Sequence, residues 1–243
     1  DTLGVSAGGL AVGVSLTDIL IDPDVIASIG DPGNSTLGNV VIDADSIVVA
    51  ARTNLPGNSD GRSANAYSSG SSGALIGVDS TNSEIDNNST VKSYIADGST
   101  LTAAGALSVS ASNNTRQRAE ANSAAGGLVA AGVATAEANT NTTTHAYFGA
   151  GVTATAGSVS IAAVSTDDNF ADTTAGSGGV AAGAGASADT TNLSNTTAEI
   201  KSSSSVDGGV GAVTVGAVHT AKFNSKISTV SGGALAGSGA VVD

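Results

Sequence analysis

The sequence contains no cysteine, methionine or tryptophan, and its 243 residues include only three tyrosines, three phenylalanines and three prolines. Without cysteine there is no disulfide framework and no thiolate metal site. Aromatic residues make up 2% of the chain, too few for a sugar-binding platform or a base-stacking surface. No apolar run approaches the roughly 20 residues of a transmembrane helix, so we predict no membrane insertion.

Charge is also scarce, and it is one-sided. Lys and Arg number 8 against 21 Asp and Glu, which gives a net charge of −13, and charged residues are 12% of the chain. An acidic surface repels phosphate backbones, so we predict no nucleic-acid partner. Glycine is abundant instead, with 33 residues, about twice the usual share. This composition argues against an ordinary enzyme core built from large side chains.

The most informative feature is an internal repeat, because several landmarks recur at a nearly constant spacing along the chain. They are Gly73-Ala-Leu-Ile with Gly126-Gly-Leu-Val, Tyr94-Ile-Ala-Asp-Gly with Tyr147-Phe-Gly-Ala-Gly, the Gly-Ala-Leu-Ser-Val-like segments at Gly105, Gly157 and Gly211, and the Gly-Gly pairs at 126, 178 and 232. Long constant periods indicate stacked architectures. We predict a degenerate repeat of about 52 residues.

Four to five copies follow from that period. They are a partial repeat over 1–36, repeats over 37–98, 99–151 and 152–205, and a partial repeat over 206–243. The second copy, over 37–98, carries seven extra residues, because Asp45 lies 60 rather than 53 residues before its counterpart Gly105, and the extra length falls near 54–62 in a stretch of turn-forming residues. Because the array starts and stops in mid-repeat, we expect either a longer parent chain or copies that join end to end.

Within a repeat, small apolar residues occupy every second position, as Val159, Ile161 and Ala163 do. Alternation over short runs predicts strands, because successive side chains point to opposite faces. We predict about four strands per repeat, which in the copy over 152–205 are 158–165, 170–175, 179–188 and 195–201. The predicted corners are 167–169, 177–178 and 189–192.

A unit this thin cannot bury a face alone, so equivalent strands of neighbouring repeats must stack. We therefore predict an all-β fold, a β-solenoid (β-helix) of four to five repeats. Val, Ile, Leu and Ala should line its inside, and Ser, Thr, Asn and Asp its outside. Parallel stacking is preferred, although the near-symmetric pattern around Gly126-Gly127 leaves a hairpin with antiparallel strands open.

The Asp-rich corners are the best candidates for a ligand site, since loop carboxylates and carbonyls suit Ca²⁺. Asp22, Asp24 and Asp31 cluster with two prolines, and Asp167 and Asp168 lie in a predicted corner. Neither an EF-hand spacing nor the Asp-containing calcium nonapeptide is present. Solvated charge that keeps the chain soluble is the simpler interpretation, and we predict no cofactor beyond this calcium alternative.

No catalytic residue is predicted. His145 and His219, the only two histidines, lie at different phases of the repeat, so the repeat does not bring them together. The segment Gly57-Asn-Ser-Asp-Gly matches the nucleophile pattern G-x-S-x-G, but it reads as a turn and lacks the strand-to-helix setting of that motif. A polysaccharide-degrading β-helix enzyme would need clustered acids with Lys or Arg, and only Arg116 and Arg118 are near neighbours.

Two further patterns concern aromatic and threonine residues within the stack. Tyr94, Tyr147 and Phe148 recur at one phase and predict an aromatic ladder. The run Asn139-Thr-Asn-Thr-Thr-Thr resembles the threonine arrays of ice-binding solenoids. Its counterparts in the neighbouring copies do not keep Thr-x-Thr in register, so ice binding is an alternative only.

The pattern of residues in the copy over 152–205 resembles a known family. It runs Ala156-Gly-Ser-Val-Ser-Ile-Ala-Ala, then Ala175-Gly-Ser-Gly-Gly-Val-Ala-Ala-Gly-Ala-Gly-Ala, then Asn195-Thr-Thr-Ala-Glu-Ile. It is similar to the tandem repeats of giant bacterial filamentous adhesins, the filamentous-haemagglutinin and leukotoxin-like surface proteins, over nearly the whole chain. The resemblance implies secretion by a Gram-negative cell, a β-helical shaft and a role in adhesion or cell–cell contact. It transfers no catalytic residue.

We therefore expect a structural shaft or filament segment of an extracellular bacterial surface adhesin, located outside the cell or at its surface. The expected partners are other copies of the chain, through solenoid ends or faces, and host, neighbouring-cell or matrix surfaces. Ligand binding by the solenoid face, with ice or calcium as the ligand, is the alternative. A polysaccharide-degrading β-helix enzyme is the third hypothesis.

Overall fold

The computed structural model describes residues 1–31, 40–53 and 63–242. Within these ranges strands make up 83% of the residues and no helix is found. None of the described residues therefore belongs to a helix that could span a membrane. The predicted all-β class is confirmed. The insertion near 54–62, with its Gly57-Asn-Ser-Asp-Gly segment, lies outside the described residues.

The described ranges form fifteen strands of 3 to 27 residues. In chain order these are β1 (Thr2–Ile21), β2 (Asp24–Ile29), β3 (Val41–Ala44), β4 (Ile47–Thr53), β5 (Ala64–Asn87), β6 (Thr90–Ile95), β7 (Thr100–Gly126), β8 (Val129–Thr140), β9 (Thr143–Phe148), β10 (Thr153–Gly178), β11 (Ala181–Asn192), β12 (Asn195–Ile200), β13 (Ser205–Asp207), β14 (Val213–Gly232) and β15 (Leu235–Val242).

All strand pairs in the described residues are parallel. An 11-stranded sheet contains the series β7–β10–β14 and β8–β11–β15, and a 4-stranded sheet has the order β12–β9–β6–β2. The turn after Gly126 joins β7 to β8, which do not pair with each other. The hairpin alternative is therefore wrong, and the long parallel strands are consistent with a β-helix.

The hydrogen-bonded register follows the sequence period. Val159 of β10 lies beside Leu107 of β7 and Val213 of β14, which hold the equivalent places in the copies before and after it. In the second copy, a residue and its partner in β7 are separated along the chain by seven fewer residues at Ala64 than at Ile47. Ile47 precedes the 54–62 segment and Ala64 follows it. Residues that match in sequence are thus direct neighbours in the sheet.

Two layers face each other across two apolar clusters. The first cluster joins the first halves of β7 and β10 to β6 and β9, through large side chains such as Leu107, Ile161 and Phe148. The second joins the later halves of the same strands to β8 and β11, and it is mostly alanine. The backbones approach closely there, because a Cβ on Gly132 of β8 would lie 2.5 Å from the carbonyl oxygen of Gly176 on β10. Small residues therefore make the thin core possible.

A band of buried polar side chains separates the two clusters, and it contradicts the prediction that polar residues all face outward. Thr115 and Gln117 of β7 and Asp167 and Asn169 of β10 are 0–2% exposed. They satisfy one another across strands: Gln117 Nε2 donates to Asn169 Oδ1 at 3.1 Å, and Thr115 Oγ1 donates to Asp167 Oδ1 at 2.7 Å. Burial is tolerated because the partners lie in the same band.

The predicted corner at 167–169 is also wrong. These residues lie in the middle of β10, where each pairs with a residue of β7 on one side and of β14 on the other. Their turn propensity is overridden by two full ladders of hydrogen bonds, so the predicted strands 158–165 and 170–175 form one strand. Likewise 189–192 lies in β11, and the chain turns instead at Gly179-Val180 and at Leu193-Ser194.

The Gly-Gly turns place one glycine under a strict steric limit. A Cβ on Gly127, Gly179 or Gly233 would lie 2.2 to 2.3 Å from the backbone oxygen of the equivalent residue in the preceding copy, which is Ala74, Gly127 or Gly179. By contrast, a Cβ on Gly178 or Gly232 would meet nothing within 4 Å. The second glycine of each pair is therefore the one that lets successive turns stack.

Candidate functional site

The calcium candidates Asp167 and Asp168 are adjacent in sequence but point to opposite faces of β10. Asp167 is buried, and its Oδ2 accepts hydrogen bonds from Asn192 Nδ2 at 2.9 Å and His219 Nε2 at 2.8 Å. Asp168 lies on the outer face, with its Oδ2 3.6 Å from Arg116 Nε. The structure does not bring these two carboxylates into one site, because adjacent strand residues alternate between faces.

The other three candidates surround β2. Asp22 lies between β1 and β2, Asp24 begins β2, and Asp31 follows it, at the border of the residues the structure describes; all three are exposed. In the described ranges no group of three or more His, Asp or Glu side chains is placed to hold a metal ion. Calcium binding by these residues stays a prediction.

A column of carboxylates that we did not predict runs along the outer face. Asp18 of β1 pairs with Glu84 of β5, Glu84 pairs with Glu137 of β8, and Glu137 pairs with Asp189 of β11. We call these four residues the acidic ladder. Neighbouring strands lie about 4.8 Å apart, and like charges directly opposite one another are destabilising. Aligning acidic residues at the repeat spacing, rather than glycine and tyrosine landmarks alone, would have revealed the ladder.

The electrostatic cost is concentrated on Glu84 in the second copy. Burial raises its pKa, and the negative charges of Asp86, Glu137 and Asp18 raise it further. No cation of the described chain pairs with it through a salt bridge. A carboxylate ladder of this kind is relieved by a proton or by an external cation.

A second cluster lies on the outer face of the 4-stranded sheet. The rings of Tyr94 and Tyr147 stack at 5.0 Å between centroids with 14° between planes, which confirms the predicted ladder for the tyrosines. Lys201 Nζ lies 4.2 Å from the centre of the Tyr147 ring. Phe148 alternates to the inside and belongs to the apolar cluster, because neighbouring residues of a strand face opposite ways.

The two histidines contact different residues and do not share a site, as predicted. His145 Nε2 lies 3.0 Å from Glu199 Oε1 at the tyrosine cluster, and burial lowers the pKa of His145 against the opposing effect of Glu199. His219 contacts Asp167, in the buried polar band. Neither histidine contacts a serine or threonine hydroxyl that would act as a nucleophile among the described contacts.

Comparison with known proteins found no matching family model, no matching curated protein and no matching solved structure.

Proposed function

We propose that this chain is a segment of the shaft of an extracellular bacterial surface adhesin, built as a β-solenoid of four to five repeats. The observation that carries the proposal is the constant register, in which equivalent strands of successive copies pair in parallel, β5 with β7, β7 with β10, and β10 with β14. Each copy pairs with the copy before it and with the copy after it, so the stack grows in one direction. We call one such copy a coil.

Several properties support this proposal over an enzyme. Neither histidine contacts a serine or threonine hydroxyl among the described contacts, and Thr115, Asp167 and Asn169 of the buried polar band are engaged in hydrogen bonds with one another and with their neighbours. The absence of cysteine suits a fibre that is exported unfolded, and the acidic surface suits solubility. The adhesive targets would be host, neighbouring-cell or matrix surfaces.

The two ends of the stack support association of copies end to end. Through the register of successive pairs, Thr2–Leu16 of β1 is in phase with residues 227–241 of β14 and β15. Within the described residues each of these segments pairs on one side only, and an open strand edge favours addition of another strand. Stacking a second copy in this register would place Gly8 over the carbonyl of Gly233, at the phase that glycine occupies at Gly127, Gly179 and Gly233 and alanine occupies at Ala74.

Blocking one edge tests the assembly. The Leu235 N–H donates to the preceding coil, so alternation directs the Ala240 N–H to the open edge. Ala240→Pro should leave the monomer folded but abolish concentration-dependent oligomers in sedimentation velocity, whereas Ala240→Ser should keep them. Monomers of the unaltered chain at all concentrations would contradict the end-to-end association.

The location and role need a separate experiment. Antibodies raised against the purified chain should label extracellular fibres of the producing bacterium in immunogold electron microscopy, and the same antibodies should reduce its attachment to surfaces. Label confined to the cell interior would refute the adhesin proposal.

Cation binding by the solenoid face is a second candidate, and the acidic ladder favours it. Calcium prefers carboxylate oxygens, and a cation between two rungs would remove the repulsion within the ladder. Millimolar Ca²⁺, compared with equal ionic strength of NaCl, should then raise the melting temperature. The double variant Glu84→Gln, Glu137→Gln should lose this response, whereas Asp43→Asn, which changes an exposed aspartate of β3, should keep it. An equal rise in melting temperature with Ca²⁺ in both variants would exclude the acidic ladder as the cation-binding site.

A further inference from the structure

One buried carboxylate belongs to neither the acidic ladder nor the polar band. Asp79 of β5 is 0% exposed. In the sheet it lies between Gly13 of β1 and Gly132 of β8. Its Oδ2 accepts a hydrogen bond from Ser123 Oγ of β7 at 2.8 Å, whereas Oδ1 has no hydrogen-bond partner in the described part of the chain.

Glycines make the space for this carboxyl group. A Cβ on Gly13 would lie 2.5 Å from Oδ1 of Asp79, and a Cβ on Gly70, in the facing part of β5, would lie 2.5 and 2.7 Å from its two oxygens. The carboxyl group therefore packs directly on bare backbone. The space that these glycines leave is therefore occupied by the carboxyl group of Asp79 itself.

No charge balances Asp79 inside the stack. The inward side chains around it carry hydroxyl groups, and those of Ser6, Ser72 and Thr81 are themselves buried without a partner in the described structure. Charged side chains of the strands packed against Asp79 alternate to the outer face: Asp18 of β1, Glu84 and Asp86 of β5, Arg116, Arg118 and Glu120 of β7, and Glu137 of β8.

A buried carboxylate with neither a cation nor a full set of donors is costly, and such a group takes up a proton instead. Burial raises the pKa of Asp79, against the smaller lowering effects of the hydrogen bonds from Ser123 and from the backbone at Ala124. A proton on the carboxyl group also supplies a donor to a region in which hydroxyl oxygens lack partners.

We propose that Asp79 holds a proton at neutral pH and that this proton locks the first two coils together, so that alkaline conditions loosen the seam between β1 and β5. The direction follows from linkage. An acid whose pKa is higher in the folded than in the unfolded chain stabilises fully below its unfolded pKa and loses that effect as pH rises toward its folded pKa.

The test compares the unaltered chain with Asp79→Asn, which mimics the neutral acid in shape and donor capacity. Above about pH 4, the folded-to-unfolded ratio of the unaltered chain should fall relative to Asp79→Asn by about tenfold per pH unit. The fall should end at the folded pKa. Urea unfolding at a series of pH values measures it. The exposed Asp43→Asn should follow the unaltered chain, and parallel profiles for the unaltered chain and Asp79→Asn would overturn the proposal.

Infrared spectroscopy of the unaltered chain detects the proton directly, and it does not require that Asp79→Asn folds. The unaltered chain should show the infrared carbonyl band of a protonated carboxylic acid at pH 7, and the band should vanish as the solution becomes alkaline. Absence of the band at pH 7 would refute the proton. Stabilisation by Na⁺ or Ca²⁺ at constant ionic strength that disappears in Asp79→Asn would also refute it, because the carboxylate would then be ionised and bound to a cation.

Discussion

Replacing one glycine of a Gly-Gly turn with alanine should be far more damaging than replacing its neighbour. In the pair Gly178-Gly179, a Cβ on Gly179 would lie 2.3 Å from the oxygen of Gly127 and 3.1 Å from that of Leu128. A Cβ on Gly178 would meet nothing within 4 Å. The two variants add the same methyl group one residue apart, so each controls for the other.

The cost of Gly179→Ala follows from what must move. A Cβ essentially never lies closer than 3.0 Å to a backbone oxygen, so the turn must shift by several tenths of an ångström against backbone atoms. The turn is held by the hydrogen bonds from Gly179 N to Gly232 O at 2.9 Å and from Val180 N to Leu128 O at 3.0 Å. Overpacking of about 1–3 kcal/mol and one weakened hydrogen bond of about 1 kcal/mol give a loss of about 2–4 kcal/mol.

Gly178→Ala should be neutral or stabilising by up to about 1 kcal/mol, because alanine reduces the freedom of the unfolded chain. For a chain of this size, 1 kcal/mol corresponds to roughly 2–4 °C in melting temperature. Thermal unfolding followed by circular dichroism should therefore place Gly179→Ala at least about 4 °C below Gly178→Ala. Equal melting temperatures would refute the stacked-turn geometry.

Two further predictions test the buried polar band and the acidic ladder. Asp167→Ala should lower the free energy of unfolding, measured with urea, by about 3 kcal/mol, because it removes a hydrogen-bond partner of Thr115 and of Asn192. Asp168→Ala should lower it by less than about 1 kcal/mol. Equal losses in the two variants would contradict the buried placement of Asp167. Glu84→Gln should stabilise the chain by about 0.5 kcal/mol at pH 7. Because the pKa of Glu84 is raised, that gain should disappear below the ordinary glutamate pKa; a gain that persists there would refute repulsion within the ladder. Glu120→Gln should instead be slightly destabilising, because Glu120 pairs with Arg118 at 2.9 Å.

The repeat was readable from sequence because stacking forces equivalent residues to be neighbours. Tyr94 and Tyr147, which recur at the repeat spacing, stack their rings on one another. The seven extra residues near 54–62 appear as a change of register between β4 and β5, which both pair with β7. Period-two patterning likewise identified the strands, since one face of each strand is buried.

The errors have a common physical cause. Local propensity favours turns at Asp167 and Asn169 and predicts a corner there, but pairing on both sides holds them in β10. Because a lone polar group avoids burial, the sequence also predicts that their side chains lie outside, yet partners far away in the sequence form hydrogen bonds with them inside the stack. The acidic ladder was missed for a related reason: it exists only between coils, and no single repeat displays it.

Interstrand nuclear Overhauser effects test the central claim, the parallel register of the coils, most directly. In the isotope-labelled chain, Thr135 of β8 should show backbone Hα-to-amide contacts with the residues next to Ser187 of β11, its partner in the following coil. An Hα-to-Hα contact between Ser123 and Ala130, which flank Gly126-Gly127 symmetrically, would instead reveal an antiparallel hairpin and contradict the stacked parallel architecture.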